Sequence, residues 1–214
     1  MGGVVEEFVE APEKCSPSAQ MRISPQGEVV VISTHDQILG GPSGQVYIGC
    51  NFPADDEYRL LLQETGVKVG QVLASYGVMS RFGVDFLVYR DADGPWKITA
   101  LEINLRMGGT THPFLALQFL TGGKLETATG LFLSPTGHAK YYRATDNLGS
   151  ERYRGLMPED LIEILTYNKL HYSHATERGV LFHLIGALSQ FGKVGLTAIA
   201  SSREEVDDLY QRTL

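Results

Sequence analysis

Residues 81–90 alternate apolar and polar side chains, and that period of two leaves the chain little choice but an extended strand there. Phe82, Val84, Phe86 and Val88 fall on one face, and Asp85 falls on the other. Residues 91–95, Asp-Ala-Asp-Gly-Pro, supply a turn. Residues 96–105 then return as a second strand, which predicts an antiparallel hairpin. On the return strand Glu102, Asn104 and Arg106 project together, while Leu101, Ile103 and Leu105 are expected to face a core. Cross-strand pairing brings Asp85 toward the Glu102/Asn104 face. Carboxylates, an amide oxygen and a guanidinium side by side suit a hard divalent cation and the phosphate oxygens around it. Two plainer readings stand beside this one: Asp85 as a solvated strand carboxylate, and Arg106 as an ion-pair partner that merely orders the sheet.

The rest of the chain is compatible with such a site and excludes several others. With 214 residues, 43% of them apolar and 20% charged, it can build one sizeable core or a domain with a smaller appendage. A formal net charge of −7 argues against a general nucleic-acid binder or a binder of anionic membranes. No apolar run approaches the roughly 20 residues of a membrane span, and no basic segment followed by an apolar stretch opens the sequence. Cys15 and Cys50 are too isolated for a disulfide framework or a zinc site, so the expected compartment is the reducing cytoplasm.

Before the hairpin, residues 3–9 read as a strand and residues 11–18 as a Pro-containing loop. Strands over 20–24 and 28–34 flank a turn at Pro25-Gln26-Gly27. Residues 37–43 read as loop and 45–50 as a short strand. Asp55 or Asp56 caps a helix running toward Thr65, Gly66 interrupts it, and a second helix covers 69–76. After Gly108-Gly109, a helix over 111–120 closes at Gly122-Gly123. A soft boundary falls near 124–138. Beyond it come a strand over 141–145, a helix over 158–170 and a strand pair over 180–188 and 194–200. A last helix is capped by Ser201 or Ser202, with Ser202 and Glu205 spaced as a capping box. Of the histidines, His171 and His174 lack a third ligand at useful spacing, and His183 in its apolar strand reads as a satisfied buried side chain.

The Glu102-Ile-Asn104-Leu-Arg106 hairpin resembles the metal-binding core of the ATP-grasp superfamily. More narrowly, Cys15 to Gln20, Ser33 to Gly44 and Glu102 to Pro113 resemble the pheganomycin-type peptide ligases, which are ATP-grasp carboxylate–amine ligases. The resemblance implies an α+β fold: residues 1–124 as the C-terminal lobe, an antiparallel sheet with flanking helices, and 139–214 as a small α+β C-terminal domain. It implies ATP and one or two Mg²⁺ ions, with Asp85, Glu102 and Asn104 as metal ligands and Arg106 beside the transferring phosphate. Glu6, Glu7, Phe8 and Val9 correspond to the hinge strand along the nucleotide, and which glutamate faces inward stays open. His35, Asp36, Gly40, Gly41 and Ser43 become candidate substrate contacts, and His112 shares that reading with a structural one at a helix start. The implied reaction joins an amino-acid or peptide carboxylate to an amine through an acyl phosphate. By that resemblance the sequence reads as the C-terminal part of a ligase, without the N-terminal phosphate-binding lobe. An inactive nucleotide-binding module and one half of a split ligase are the alternatives.

Overall fold

A computed structural model describes residues 7–214. Glu6 and the residues before it therefore lie outside the described residues, and Glu7 to Val9 carry no regular structure where the end of a strand was expected. The chain runs β1 (Glu13–Cys15), β2 (Pro17–Ile23), β3 (Val29–Gly40), β4 (Val46–Phe52), α1 (Arg59–Ser75), β5 (Ser80–Arg90), β6 (Lys97–Asn104) and α2 (Thr111–Thr121). It continues through β7 (Lys124–Glu126), β8 (Leu131–Leu133), β9 (Ala139–Gly149), α3 (Pro158–Tyr167), β10 (Gly179–His183), α4 (Leu188–Phe191), β11 (Lys193–Ala200) and α5 (Arg203–Gln211).

The strands form an antiparallel sheet flanked by helices, ordered β1-β5-β2-β3-β4-β9-β11-β10. Strand β5 takes β1 and β2 along one edge and β6 along the other. The short β7–β8 pair attaches to β9. Helix α1 covers one face, where Tyr58 and Leu62 pack with Ala19, Met21, Phe82 and Val84. Phe114 and Leu117 of α2 bury with Phe52, Phe132 and Tyr142. Helix α5 lays Val206 and Leu209 against Leu196 and Ala198. Its cap follows the expected spacing: Ser202 Oγ accepts from the Glu205 N–H, while the Glu205 carboxylate accepts from the Ser201 N–H.

The hairpin formed as the alternation requires, with Phe82, Val84, Phe86 and Val88 all buried. Its second strand corrects one expectation: Leu101, Ile103 and Leu105 are 42%, 46% and 58% exposed, so none is core. Among the described residues β6 pairs only with β5, which leaves that row of side chains at an edge of the described sheet. The register also shifts between Asp85↔Glu102 and Phe86↔Ala100, making Leu101 the extra residue of a bulge. Leu101 consequently lines the same cavity as Leu87 and Asp85.

Three further corrections have physical causes. Gly66 does not interrupt α1; it lies buried within the helix because Met21 packs where its side chain would stand. Tertiary close packing there outweighs a weak helix propensity. Residues 37–40 are strand rather than loop, since β4 pairs alongside them from Gln37↔Cys50 to Gly40↔Val46, and only 41–45 turn. Residues 11–18 likewise contain β1 and the start of β2, both held by pairing with β5.

One contact joins the first half of the sheet to the second. Strand β4 pairs with β9 from Gly49↔Thr145 to Phe52↔Tyr142, and the Phe52 and Tyr142 rings stack at 4.9 Å. A Cβ on Gly49 would collide with the Ala144 carbonyl oxygen, which is backbone and cannot swing aside. Gly49→Ala is therefore expected to cost about 3 kcal/mol by overpacking, a fall of about 10 °C in Tm for a domain of this size. An unchanged thermal transition would mean that the two strands do not meet in this register.

Candidate functional site

The register that pairs Asp85 with Glu102 and Gly83 with Asn104 puts the three expected metal-ligand residues on one patch of the β5–β6 hairpin. Asp85 is partly buried and accepts two hydrogen bonds, from Gln37 Nε2 at 2.9 Å and from Asn104 Nδ2 at 3.0 Å. Burial, followed by the adjacent Glu102 charge, raises the Asp85 pKa above the ordinary carboxylate value. The Gln37 hydrogen bond, the Arg106 charge and the Asn104 hydrogen bond oppose that rise. Two carboxylates side by side, one of them half withdrawn from water, form a site whose negative charge is incompletely compensated by the protein. A small hard cation suits this set, because every donor facing it is an oxygen or an amide group that can present one.

The patch sits where two cavities meet. The smaller, about 280 Å³, is lined by Asp85, Glu102, Asn104, Arg106, Gly108 and Gly109 among others. The larger, about 950 Å³, shares Gln37, Asp85 and Glu102 with it and extends over Leu87 and Leu101 toward Glu7, Phe8 and Val9. The paired cavities have the span for a ligand with an apolar ring at one end and anionic groups in the middle. Lys14 borders the larger cavity, with its ammonium 4.9 Å from the Phe8 ring centre.

The remaining residues singled out in the sequence separate. Asp36 borders the larger cavity, but its carboxylate is engaged: it accepts from Tyr58 Oη at 2.7 Å and from the Asp55 N–H at 2.9 Å. His35 is not brought to the cleft. It is fully buried, its Nε2 lies 2.7 Å from Tyr142 Oη, and burial pushes its pKa down to about 3. Gly40 ends β3, while Gly41 and Ser43 form the exposed turn into β4 at the cavity rim, where Gly44 and Gln45 line the opening. His112 stands in the first turn of α2, where its ring meets His183 and Asp146 rather than the Asp85 patch. Sequence reasoning missed Gln37 and Tyr47, which also line the smaller cavity. Gln37 was hidden by its assignment to a loop; as part of a strand beside β2, its side chain has a direction.

The architecture is that of the ATP-grasp fold. Over 98% of this chain and 57% of the other, it superposes on the phosphoribosylaminoimidazole carboxylase ATPase subunit of Aquifex aeolicus with a TM-score of 0.59 and 16% identity. The biotin carboxylase domain of the Hydrogenobacter thermophilus 2-oxoglutarate carboxylase, solved with MgADP and bicarbonate, gives 0.59 at 14% identity, covering 95% of this chain and 45% of that one. These similarities concern the fold. The chain belongs to the IQCH-like ATP-grasp family, whose profile matches residues 1–128, and residues 160–213 match the PGM1 C-terminal domain. It is 38% identical over 206 residues to the L-propargylglycine--L-glutamate ligase of Streptantibioticus cattleyicolor. That alignment covers 96% of this chain and 41% of the ligase, so the chain spans about two fifths of the length of this relative. No helix among the described residues is long and apolar enough to cross a membrane.

Proposed function

We propose that this chain carries the metal and nucleotide half of an ATP-dependent carboxylate–amine ligase. The observation that carries the reading is the convergence of Asp85, Glu102, Asn104 and Arg106 at the junction of two continuous cavities. In this reading the larger cavity takes the nucleoside, with Leu87 and Leu101 as its apolar floor and residues 7–9 at its edge. The triphosphate would then reach the hairpin, where Asp85, Glu102 and Asn104 would hold Mg²⁺. Bound there, Mg²⁺ supplies neutralisation of phosphate charge. Arg106, with its planar fork of donors, is suited to the oxygens of the phosphoryl group in transit. The smaller cavity beyond it, with Tyr47, Gly108 and Gly109, is the place for the carboxylate and the incoming amine.

The chemistry follows from that layout. A carboxylate oxygen attacks the γ-phosphorus and ADP leaves; the amine nitrogen then attacks the acyl carbon, phosphate leaves and the nitrogen gives up a proton. Positioning and charge neutralisation supply most of the catalysis in the first step. The carboxylate and amine are proposed to be those of amino acids or short peptides, following the relative named above. Residues 1–124 would form the nucleotide-facing lobe and 139–214 a smaller C-terminal domain, a division supported by separate family matches over 1–128 and 160–213. A further lobe covering the phosphates from the other side, on the same polypeptide or a separate one, is part of the proposal, and the cytoplasm is the proposed compartment.

Hydroxylamine trapping tests the reading. The chain, combined with an N-terminal ATP-grasp lobe and given ATP, Mg²⁺ and an amino-acid mixture, is expected to release ADP and form an acyl hydroxamate. Glu102→Gln should lower that yield by about 100-fold or more, since even the outer-shell partners of a metal are worth about 10–100-fold in affinity or activity. Release of AMP and pyrophosphate, or hydroxamate formation indifferent to Glu102→Gln, would overturn it. ADP release by the chain without the second lobe would instead confine the error to the need for that lobe.

A further inference from the structure

A second cluster of metal-ligating groups lies outside the hairpin. His112 from α2, Asp146 from β9 and His183 from the end of β10 bring their ligating atoms together. His183 Nε2 lies 2.8 Å from Asp146 Oδ1 and 2.8 Å from His112 Nε2, and His112 Nε2 lies 3.4 Å from Asp146 Oδ1. Nothing in the hairpin site uses these side chains. The geometry points to a binding site for a divalent transition metal of the zinc class, held by two imidazoles and one carboxylate.

Three features support a metal over a purely structural hydrogen-bond network. The first is proton accounting. The His183 Nε2 is a single donor-or-acceptor position, yet it lies 2.8 Å from both Asp146 Oδ1 and His112 Nε2, whose own role depends on its tautomer. One Nε2 position cannot serve both short contacts well, whereas a cation at the centre engages a lone pair from each of the three atoms. The second is size. A point about 1.8 Å from all three atoms lies in their plane, so an ion at the ~2.0–2.1 Å usual for zinc sits about 1 Å above it. Three protein ligands to one side leave coordination positions open, as in catalytic rather than structural zinc sites. Those positions are reachable, since the His112 and Asp146 side chains are 42% and 33% exposed.

The third is that the backbone is shaped to seat one ligand. His183 pairs across the strands with Gly195, and its ring lies against the Gly195 Cα, in space that any Cβ at that position would fill. Gly195 falls inside the β9–β11 register shift between Val194 and Leu196, which sets the strand's local direction beside Asp146. The donor set also separates this site from the hairpin. Imidazole nitrogens favour zinc, cobalt or nickel, while the oxygen donors of Asp85, Glu102 and Asn104 favour magnesium. His112 stands two residues after Thr110, which lines the smaller cavity.

Titration of the 214-residue chain, stripped with a chelator, tests the site using Zn²⁺ in calorimetry and Co²⁺ in visible absorption. One ion per chain is expected, with a Co²⁺ spectrum of mixed nitrogen and oxygen ligation. Asp146→Asn and His183→Ala should each weaken binding by about 100-fold. His112→Gln guards against misfolding, because His112 is accessible at a helix start, and it should do the same. Gly195→Ala keeps all three ligands yet displaces His183, and it should cost about 10-fold or more. Absence of stoichiometric binding, binding that survives His112→Gln and Asp146→Asn, or a signal that follows Asp85→Asn instead would overturn the assignment.

Discussion

Asp85→Asn is expected to abolish magnesium-dependent binding of an ATP analogue while leaving the ligand-free fold as stable as before, or slightly more so. The two effects have one origin. Burial and the neighbouring Glu102 raise the Asp85 pKa, so folding works against the charged form of this carboxylate. For an acid whose pKa is raised by folding, stability declines as the pH rises through that value, so a neutral side chain relieves the cost at pH 7. The hydrogen bonds need not be lost, because Gln37 and Asn104 both carry amides that can turn their oxygens toward the new Asn nitrogen. In the proposed site the ion, however, loses a charged ligand. Even outer-shell partners are worth about 10–100-fold in metal affinity, so a loss of ~100-fold or more is expected for this inner one. Mn²⁺ as a paramagnetic stand-in, with line broadening followed on β5 and β6, would measure it alongside urea melts. Metal-dependent broadening retained by Asp85→Asn would remove Asp85 from the site. A marked loss of stability would show instead that its charge is structurally compensated.

What the sequence made legible divides along physical lines. The hairpin and its polar patch were readable because a period of two is a local property, and the side chains it aligns are neighbours in the strand. The helices over 111–121 and 203–211 were readable from their end signals, Gly122 at one and Ser202 at the other. Three things were not readable locally. The bulge at Leu101 shows only in the offset between two strands. The passage of α1 through Gly66 is fixed by Met21, on β2 and more than forty residues earlier, and the extension of β3 to Gly40 by its pairing with β4. The His112–Asp146–His183 cluster is the extreme case, since its members come from α2, β9 and β10, and only the sheet order brings them together. The sequence did hold a faint signal there. A histidine in an otherwise apolar strand must find polar partners, and reading His183 as satisfied left open what satisfies it.

Glu177→Ala should destabilise the chain by about 2–3 kcal/mol, and the added change Lys140→Met should restore most of that loss. Lys140 is the second residue of β9, and only 1% of its side chain is exposed, an unusual burial for an ammonium. Its Nζ meets the Glu177 carboxylate at 2.8 Å, Ser201 Oγ at 3.0 Å and the Glu177 carbonyl at 3.3 Å. These contacts tie β9 to the segment before β10 and to the start of α5. Removing one partner of a buried pair costs roughly 3–5 kcal/mol because the other charge is stranded. The lower figure applies here, since the Glu177 side chain remains 19% exposed and water screens part of the effect. Methionine fills the lysine's volume without its charge, and an apolar replacement of both partners is often near neutral. The pH dependence has a definite sign. The hydrogen bond from Lys140 holds the Glu177 carboxyl below its ordinary pKa, with Ser134 and Thr136 assisting. Stability from the pair is therefore complete above the unfolded carboxylate value of about 4.3 and is lost as the pH falls through the lower folded value. Urea melts at neutral pH and near pH ~3 should show the gap between parent and Glu177→Ala closing in acid. A double variant no more stable than Glu177→Ala alone would mean that the lysine's charge was never the burden, and that its stem and hydrogen bonds hold this corner of the sheet.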